Sequence, residues 1–183
     1  MAGSNGKQKT VRDMVLSLGL IGIAAALIYV FVPHDDHAPD IKRVDYRVEL
    51  LTARRAASYP VAAPEELPTT WKATSVRFRG DAYDAWHLGF QAPDGQYVAI
   101  EQSTQKRSAF IDDASQGASA TKVTEEIGGR TWIRYTGGRY DALVLADAKG
   151  AEAAEEGKGS TTVVAGTGSF AQLTEMVRAL KLA

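Results

Sequence analysis

The feature that most constrains this chain is an uncharged, apolar run of nineteen residues from Met14 to Val32. As an α-helix, which rises about 1.5 Å per residue, the run would be roughly 29 Å long. That length is close to the ~30 Å hydrocarbon core of a bilayer. In lipid, a single segment of this length satisfies its backbone hydrogen bonds only as a helix. The run therefore predicts one transmembrane helix, which makes the membrane a predicted partner of this chain.

Charges on the two sides of the run predict its orientation. Lys7, Lys9 and Arg12 precede it, and the segment 33–37 that follows carries two aspartates. Because positive charge stays on the cytoplasmic side, the N-terminus is predicted to be cytoplasmic. The chain after the helix is then predicted to be extracytoplasmic. The predicted location of the protein is the cell membrane.

A cleaved signal peptide is the alternative to an anchor. Its apolar region is usually about 7–15 residues long and is followed by an A-x-A site. Here the alanines at 24–26 lie inside the run, and large apolar residues follow them. We therefore predict an uncleaved anchor. Gly22 and Ala26 form a small-xxx-small pair through which two such helices could dimerise.

The remaining sequence predicts the domain organisation. Residues 1–13 form a short cytoplasmic tail, residues 14–32 the membrane helix and residues 33–43 a proline-containing, charged linker. Residues 44–183 are enough for one extracytoplasmic domain with its own core. There is no cysteine, which excludes a disulfide, a thiol nucleophile and cysteine metal ligands. Basic residues do not form runs, so no nucleic-acid partner is predicted.

Hydrophobic periodicity predicts an α+β domain. Alternating residues predict strands at 71–79, 85–91 and 96–102, the last two joined by a turn at Pro93-Asp94-Gly95. Two Gly-Gly-Arg turns, at 128–130 and 137–139, predict a three-strand meander, and residues 160–166 predict a further strand. The total is about six mostly antiparallel strands.

Two or three helices accompany these strands. Residues 44–58 favour a helix, with a strand at 44–50 as the alternative for its beginning. Residues 108–117 predict a short helix with Ser108 as its N-cap. At the end of the chain, Ser169 and Gln172 fit a capping box ahead of an apolar stripe. The proline-rich segment 59–68 is predicted to be an extended connector without ladder pairing.

Several blocks of the sequence resemble a known family. They are ARRAASYPVAAPEELPTTWKATSVR, WHLGFQAPDGQYVAIEQ, GGRTWIRY and GTGSFAQL, in this order. They resemble the actinobacterial membrane-anchored family called domain of unknown function 4245. The resemblance covers nearly the whole chain, anchor included, and implies a single-span envelope protein with one external domain. It implies no activity and no catalytic residues.

Two motifs that suggest a cofactor or a metal are better explained otherwise. GTGSFA, 166–171, matches a dinucleotide fingerprint, but only twelve residues follow it, too few for the required βαβ unit and acidic residue. HDDH, 34–37, is rich in metal-ligand types, but neighbours on an extended linker point to opposite sides. We predict no cofactor and no metal site.

The sequence leaves two classes of function open. A hydrolase would use His87, oriented by an acid such as Asp84 or Glu101, beside a serine; no G-x-S-x-G motif is present. A non-catalytic binding or structural module needs only a surface, and is the prediction. Its partner would be an envelope protein or a wall polymer. The predicted contact surface is the region of Trp86 and Trp132. Trp132 and Tyr135 fall on opposite faces of their strand, so the alternative is that this strand is covered on both sides and both of these rings are buried.

Overall fold

The computed structural model describes residues 5–31, 42–146 and 159–182. The chain divides into two units, Met1–Asp40 and Ile41–Ala183. In the first unit, helix α1 spans Asn5–Phe31. Within it, Val11–Tyr29 has a mean hydropathy of 1.9 and is long and apolar enough to cross a membrane. None of this window is buried in protein. The predicted apolar helix is confirmed, and its last residue, Val32, lies outside the described residues.

The second unit contains the predicted α+β domain. The helices are α2 Arg47–Ala56, α3 Arg107–Ser115 and α4 Phe170–Ala179. The strands are β1 Ala62–Pro64, β2 Lys72–Arg79, β3 Ala85–Gln91, β4 Tyr97–Ser103, β5 Ser119–Ile127, β6 Arg130–Thr136, β7 Asp141–Leu145, β8 Thr161–Gly166 and β9 Leu180–Leu182. These strands form one antiparallel sheet in the order β2-β3-β4-β8-β7-β6-β5 and a separate antiparallel pair, β1-β9.

Helices cover both faces of the central part of the large sheet. On one face, Leu173, Met176 and Val177 of α4 belong to a core that also holds the inward side chains of β3 and β4. On the other face, Phe110 and Ile111 of α3 pack with alternate residues of β7 and β8. All six residues of β8 are buried, as expected for a strand covered on both sides. The strands toward the two edges are less covered by helices.

Local chemistry explains where α4 begins. The Ser169 hydroxyl accepts a hydrogen bond from the Gln172 backbone N–H at 3.4 Å. In return, the Gln172 carboxamide oxygen accepts one from the Ser169 backbone N–H at 2.8 Å. This is the predicted capping box, and it satisfies two donors at the helix start. Leu173 and Val177, from the predicted stripe, are both buried.

Two local predictions are wrong. Helix α3 begins one residue earlier than Ser108, after Lys106, and no side chain caps it. The segment 59–68 does contain a ladder strand, since Ala62–Pro64 pairs with Leu180–Leu182. This pairing needs the far end of the chain, which a local reading of prolines does not include. The Gly-, Ala- and Glu-rich sequence of residues 149–159 predicts a loop, and all of it except its last residue lies outside the described residues.

Candidate functional site

The sheet register places three charged or titratable side chains in one row. Arg77 on β2 pairs with His87 on β3, and His87 pairs with Glu101 on β4. The next partner in the row is Val163 on β8, which α3 covers. Directly opposite residues in antiparallel strands have Cβ atoms about 4.5–5.5 Å apart, so these side chains are within reach of one another. The row lies on the face of the sheet that carries α3.

His87 is hydrogen-bonded on both ring nitrogens. Nδ1 lies 2.8 Å from Oε1 of Glu101, and Nε2 lies 2.9 Å from Oγ of Ser75. With a proton on Nδ1, the imidazole donates to the carboxylate, and Nε2 accepts from the serine hydroxyl. The side chains of His87 and Glu101 are 22% and 23% exposed. The hydrogen-bonded trio of Ser75, His87 and Glu101 is thus ordered and still accessible to solvent.

A β-bulge and a glycine bring Ser75 to the histidine. Ala73 pairs with Phe90 and Ser75 with Gly89, so Thr74 is the extra residue on β2. A bulge shifts the alternation of side chains between faces, which is why Ala73 enters the core while Ser75 lies on the face of His87. A Cβ on Gly89 would lie 2.4 Å from Oγ of Ser75. The serine hydroxyl therefore occupies space that only glycine leaves free.

Tyr97 closes one side of the trio. Its hydroxyl lies 3.5 Å from Nε2 of His87, and its ring also passes over Gly89. Burial, together with the negative charge of Glu101 and the neighbouring Tyr140, raises the pKa of Tyr97 to about 12. The phenol is therefore neutral near pH 7. It retains a proton that it can donate to a hydrogen-bond acceptor beside Ser75.

Two cavities flank His87 and Glu101, and α3 forms the opposite wall of both. Together we call them the His87 cleft. The first has a volume of about 300 Å³ and the second of about 360 Å³. Arg77, Arg79, Ser103 and Phe110 line the first, and Tyr97, Ala99, Gln116 and Tyr140 line the second. Asp113 and Ala114 of α3 border both. Charged side chains of both signs line the cleft.

The two tryptophans chosen from the sequence do not form a contact surface. Trp86 is fully buried, and its Nε1 donates to the Ala62 carbonyl at 2.9 Å. Trp132 is 3% exposed, and its Nε1 has no hydrogen-bond partner among the described residues. The contact-surface prediction is therefore corrected: both rings belong to the core on the α4 face. They supply apolar area, as aromatic side chains usually do in small domains.

Of the two acids suggested as partners of His87, Glu101 is the one in contact. Asp84 instead accepts hydrogen bonds from the backbone and hydroxyl of Ser58. The Pro93–Gly95 turn could have revealed the Glu101 pairing, because a hairpin centred on Asp94 places positions 87 and 101 opposite each other. Ser75 was missed because the bulge at Thr74 has no sequence signal. Tyr97 was missed because it was read only as a strand residue.

The described residues hold no group of three or more His, Asp or Glu side chains that could bind a metal ion. The HDDH segment, 34–37, lies outside those residues. In the His87 cleft, the titratable groups are one imidazole, two carboxylates and two guanidinium groups, with tyrosines beside them. Their arrangement offers hydrogen-bond donors and acceptors within a short distance of one another. It can bind a polar ligand, or transfer a proton between Ser75 and His87.

Comparison with known proteins assigns the chain to a family. The family model described as "Protein of unknown function (DUF4245)" matches residues 7–180. The chain belongs to the DUF4245 family. The resemblance seen in the sequence is thereby confirmed over nearly the whole chain, with α1 included. No curated protein and no solved structure matches the chain. The DUF4245 match brings no activity with it.

Proposed function

We propose that this DUF4245 protein is an uncleaved, single-span protein of the cell membrane whose domain lies outside the cytoplasm. The support is the apolar window Val11–Tyr29, with Lys7 and Lys9 ahead of it and Arg12 at its N-terminal end. Basic residues next to a membrane helix favour the cytoplasmic side. The window also exceeds the usual length of a signal-peptide apolar region, which is about 7–15 residues.

The absence of cysteine gives a direct test of this topology. A single cysteine replaces either Ser4 in the N-terminal tail or Ala109, an exposed residue of α3. Intact cells are treated with a membrane-impermeant maleimide. We expect labelling at position 109 in intact cells, and at position 4 only after permeabilisation. The reverse pattern, or an N-terminus missing from the membrane-bound protein, would refute the proposal.

Within this topology, the domain is a non-catalytic binding module whose ligand enters the His87 cleft. The observation that carries this proposal is the ordered but accessible His87–Glu101 pair between two cavities. Cavities of about 300–1,000 Å³ with a few well-placed polar groups are typical of small-molecule sites. Arg77 lies at one end and Asp113 on the opposite wall, so the ligand is polar and carries little net charge. A hydroxyl-rich glycan of the cell wall fits this description.

Titration of the full chain in nanodiscs with short wall-glycan fragments tests the binding proposal. A hydrogen bond to a charged group contributes about 1.5–3 kcal/mol, so Glu101→Gln should weaken binding by roughly 10- to 100-fold. Glu126→Gln is the matched control, because Glu126 is an exposed residue on β5 outside the cleft. Equal affinities for the two variants would place the ligand elsewhere.

The distance of 2.9 Å between Oγ of Ser75 and Nε2 of His87 favours a second candidate, an acyl hydrolase. Ser75 would attack the carbonyl carbon of an ester, and its proton would pass to His87. The protonated imidazole, held by Glu101, would then return this proton to the departing alcohol. Attack of water on the acyl-serine would release the acid and regenerate the hydroxyl.

Stabilisation of the oxyanion separates the two candidates. Hydrolysis needs hydrogen-bond donors that face the developing negative charge. The neutral phenol of Tyr97, whose hydroxyl lies 3.5 Å from Nε2 of His87, is one donor beside the trio. A fluorophosphonate that labels the wild type and not Ser75→Ala, together with ester turnover lost in both Ser75→Ala and His87→Ala, would establish the hydrolase. The binding module would be established by two results together. The fluorophosphonate would not label the wild type, and the wild type and Ser75→Ala would bind glycan fragments with equal affinity.

A further inference from the structure

Helix α2 presents two large apolar side chains to solvent. Val48 is 74% exposed and Leu51 is 54% exposed. They are three residues apart and therefore lie on the same side of the helix. The fully buried residue of α2 is Ala53, which faces the core. Isolated exposed apolar residues are common on protein surfaces, so this pair needs further observations before it indicates a partner.

The charges around this pair are the second observation. Arg47 and Arg55 are exposed on the same side of α2 as Val48 and Leu51. The acid of the helix, Glu49, is half-buried and accepts a hydrogen bond from the Phe78 backbone N–H at 3.1 Å. One exposed acid lies just before the helix: Asp45, which accepts from the Arg47 backbone N–H. The outward face is thus apolar and cationic.

Charge distribution along the chain is the third observation. Residues 42–56 carry five basic and two acidic side chains, whereas residues 33–183 as a whole carry eighteen basic and twenty-one acidic ones. Positive charge is therefore concentrated where the domain begins. Fifteen residues join the end of α1 to the start of α2, and so many residues reach at most about 50 Å when fully extended. An anchored chain keeps α2 within that reach of the membrane.

We propose that the outward face of α2, formed by Arg47, Val48, Leu51 and Arg55, binds the surface of an anionic bilayer. The inference rests on the membrane anchor proposed above. Helices that lie at a bilayer surface combine an apolar side with basic residues. Val48 and Leu51 enter the boundary between headgroups and acyl chains, and the two arginines contact lipid phosphates. Anionic lipids attract such basic residues when these lie within a Debye length of the surface.

The test uses the full chain in nanodiscs, with an environment-sensitive fluorophore on a single cysteine. Val48→Cys reports on the proposed face, and Ala109→Cys on the exposed side of α3 is the control. The bilayers are phosphatidylcholine alone or a mixture of phosphatidylcholine and phosphatidylglycerol. We expect the label at position 48 to be blue-shifted and shielded from aqueous iodide in the anionic bilayer, and the label at position 109 to stay accessible. Each change of Arg47 or Arg55 to Gln should lower the ratio of docked to free α2 about fivefold.

Three outcomes would overturn the proposal. Equal iodide quenching at positions 48 and 109 in the anionic bilayer would show that α2 stays in water. Shielding that is unchanged when both arginines are replaced would rule out recognition of lipid charge. Shielding that persists in detergent and grows with protein concentration would identify a second copy of the chain as the occupant. Both faces of a nanodisc are open, so these results do not depend on the orientation tested by maleimide labelling in cells.

Discussion

Replacing Gly89 with alanine should disconnect Ser75 from His87. The new Cβ would lie 2.4 Å from Oγ of Ser75 and 3.0 Å from the Tyr97 ring, so the serine has to rotate away. That rotation removes one hydrogen bond, which contributes about 0.5–1.5 kcal/mol. Crowding against Tyr97 adds about 0.5–1.5 kcal/mol if a side chain leaves its rotamer. Against this, alanine reduces the entropy of the unfolded chain, which stabilises by about 0.4–1 kcal/mol. The net expectation is a loss of about 1–2 kcal/mol in the free energy of unfolding.

A double-mutant cycle with Ser75→Ala isolates the contact between the Ser75 hydroxyl and the side chain introduced at position 89. Once the hydroxyl is absent, Gly89→Ala should change the free energy of unfolding by less than about 0.5 kcal/mol, which implies a coupling of about 0.5 kcal/mol or more. Urea denaturation followed by tryptophan fluorescence measures this, since all three tryptophans lie in the unit Ile41–Ala183. Equal effects of Gly89→Ala in the two backgrounds would refute the proposed steric contact, and with it the argument that glycine creates the site.

Three further expectations concern the core and pH. Leu173→Ala should lower the free energy of unfolding by about 2–5 kcal/mol, because Leu173 is fully buried under the sheet; a loss below about 0.5 kcal/mol in urea would make α4 peripheral. Gln102→Leu should lower the free energy of unfolding by about 1–3 kcal/mol in the same assay. The substitution removes Oε1 of Gln102, which accepts a hydrogen bond from the buried Ala62 N–H at 2.6 Å. An unchanged urea midpoint would contradict this. The pKa of Tyr97 is raised to about 12, against the usual 10, so the folded state favours the neutral phenol. This contribution to the free energy of unfolding is complete below pH 10 and is lost as pH rises toward 12. Urea midpoints across this range should fall less steeply for Tyr97→Phe, and identical slopes would show that another group controls the decline.

Much of the fold could be predicted from the sequence because its signals are local. The Ser169–Gln172 capping box, the turn at Pro93–Gly95 and the apolar helix each depend on residues close together in the chain. The structure contains all three. In contrast, the pairing of Ala62–Pro64 with the final strand joins segments more than a hundred residues apart. Periodicity within a short window carries no information about such a pair.

The candidate site was only partly predictable, for the same reason. The alternation along residues 85–91 places His87 on the face opposite Trp86, and the hairpin turn places Glu101 across from it. Ser75 required the bulge at Thr74, which arises from how β2 and β3 fit together. Without that shift, no spacing in the sequence links this serine to the histidine. The hydrogen-bonded trio is thus a property of the register of the sheet.

The error on the tryptophans has a physical origin as well. Trp132 and Tyr135 lie on opposite faces of β6, which left open whether the strand is covered on both sides. Burial of Trp132 depends on α4, which lies more than thirty residues further along the chain. Trp86 is buried by the same face of the sheet and by Ala62 of β1. Large aromatic side chains in these strands are therefore better evidence for a buried core than for a contact surface.

The central claim, that the His87 cleft holds a ligand, is tested most directly by filling the cleft. Ala114 of α3 borders both cavities, so Ala114→Phe should occupy them, whereas Ala109→Phe places the same ring on the exposed side of the same helix. The full chain is extracted from cells in mild detergent, and its mass is measured by native mass spectrometry. We expect a small-molecule adduct on the wild type and on Ala109→Phe that is lost from Ala114→Phe. An adduct retained equally by all three proteins, or found on none of them, would contradict the claim.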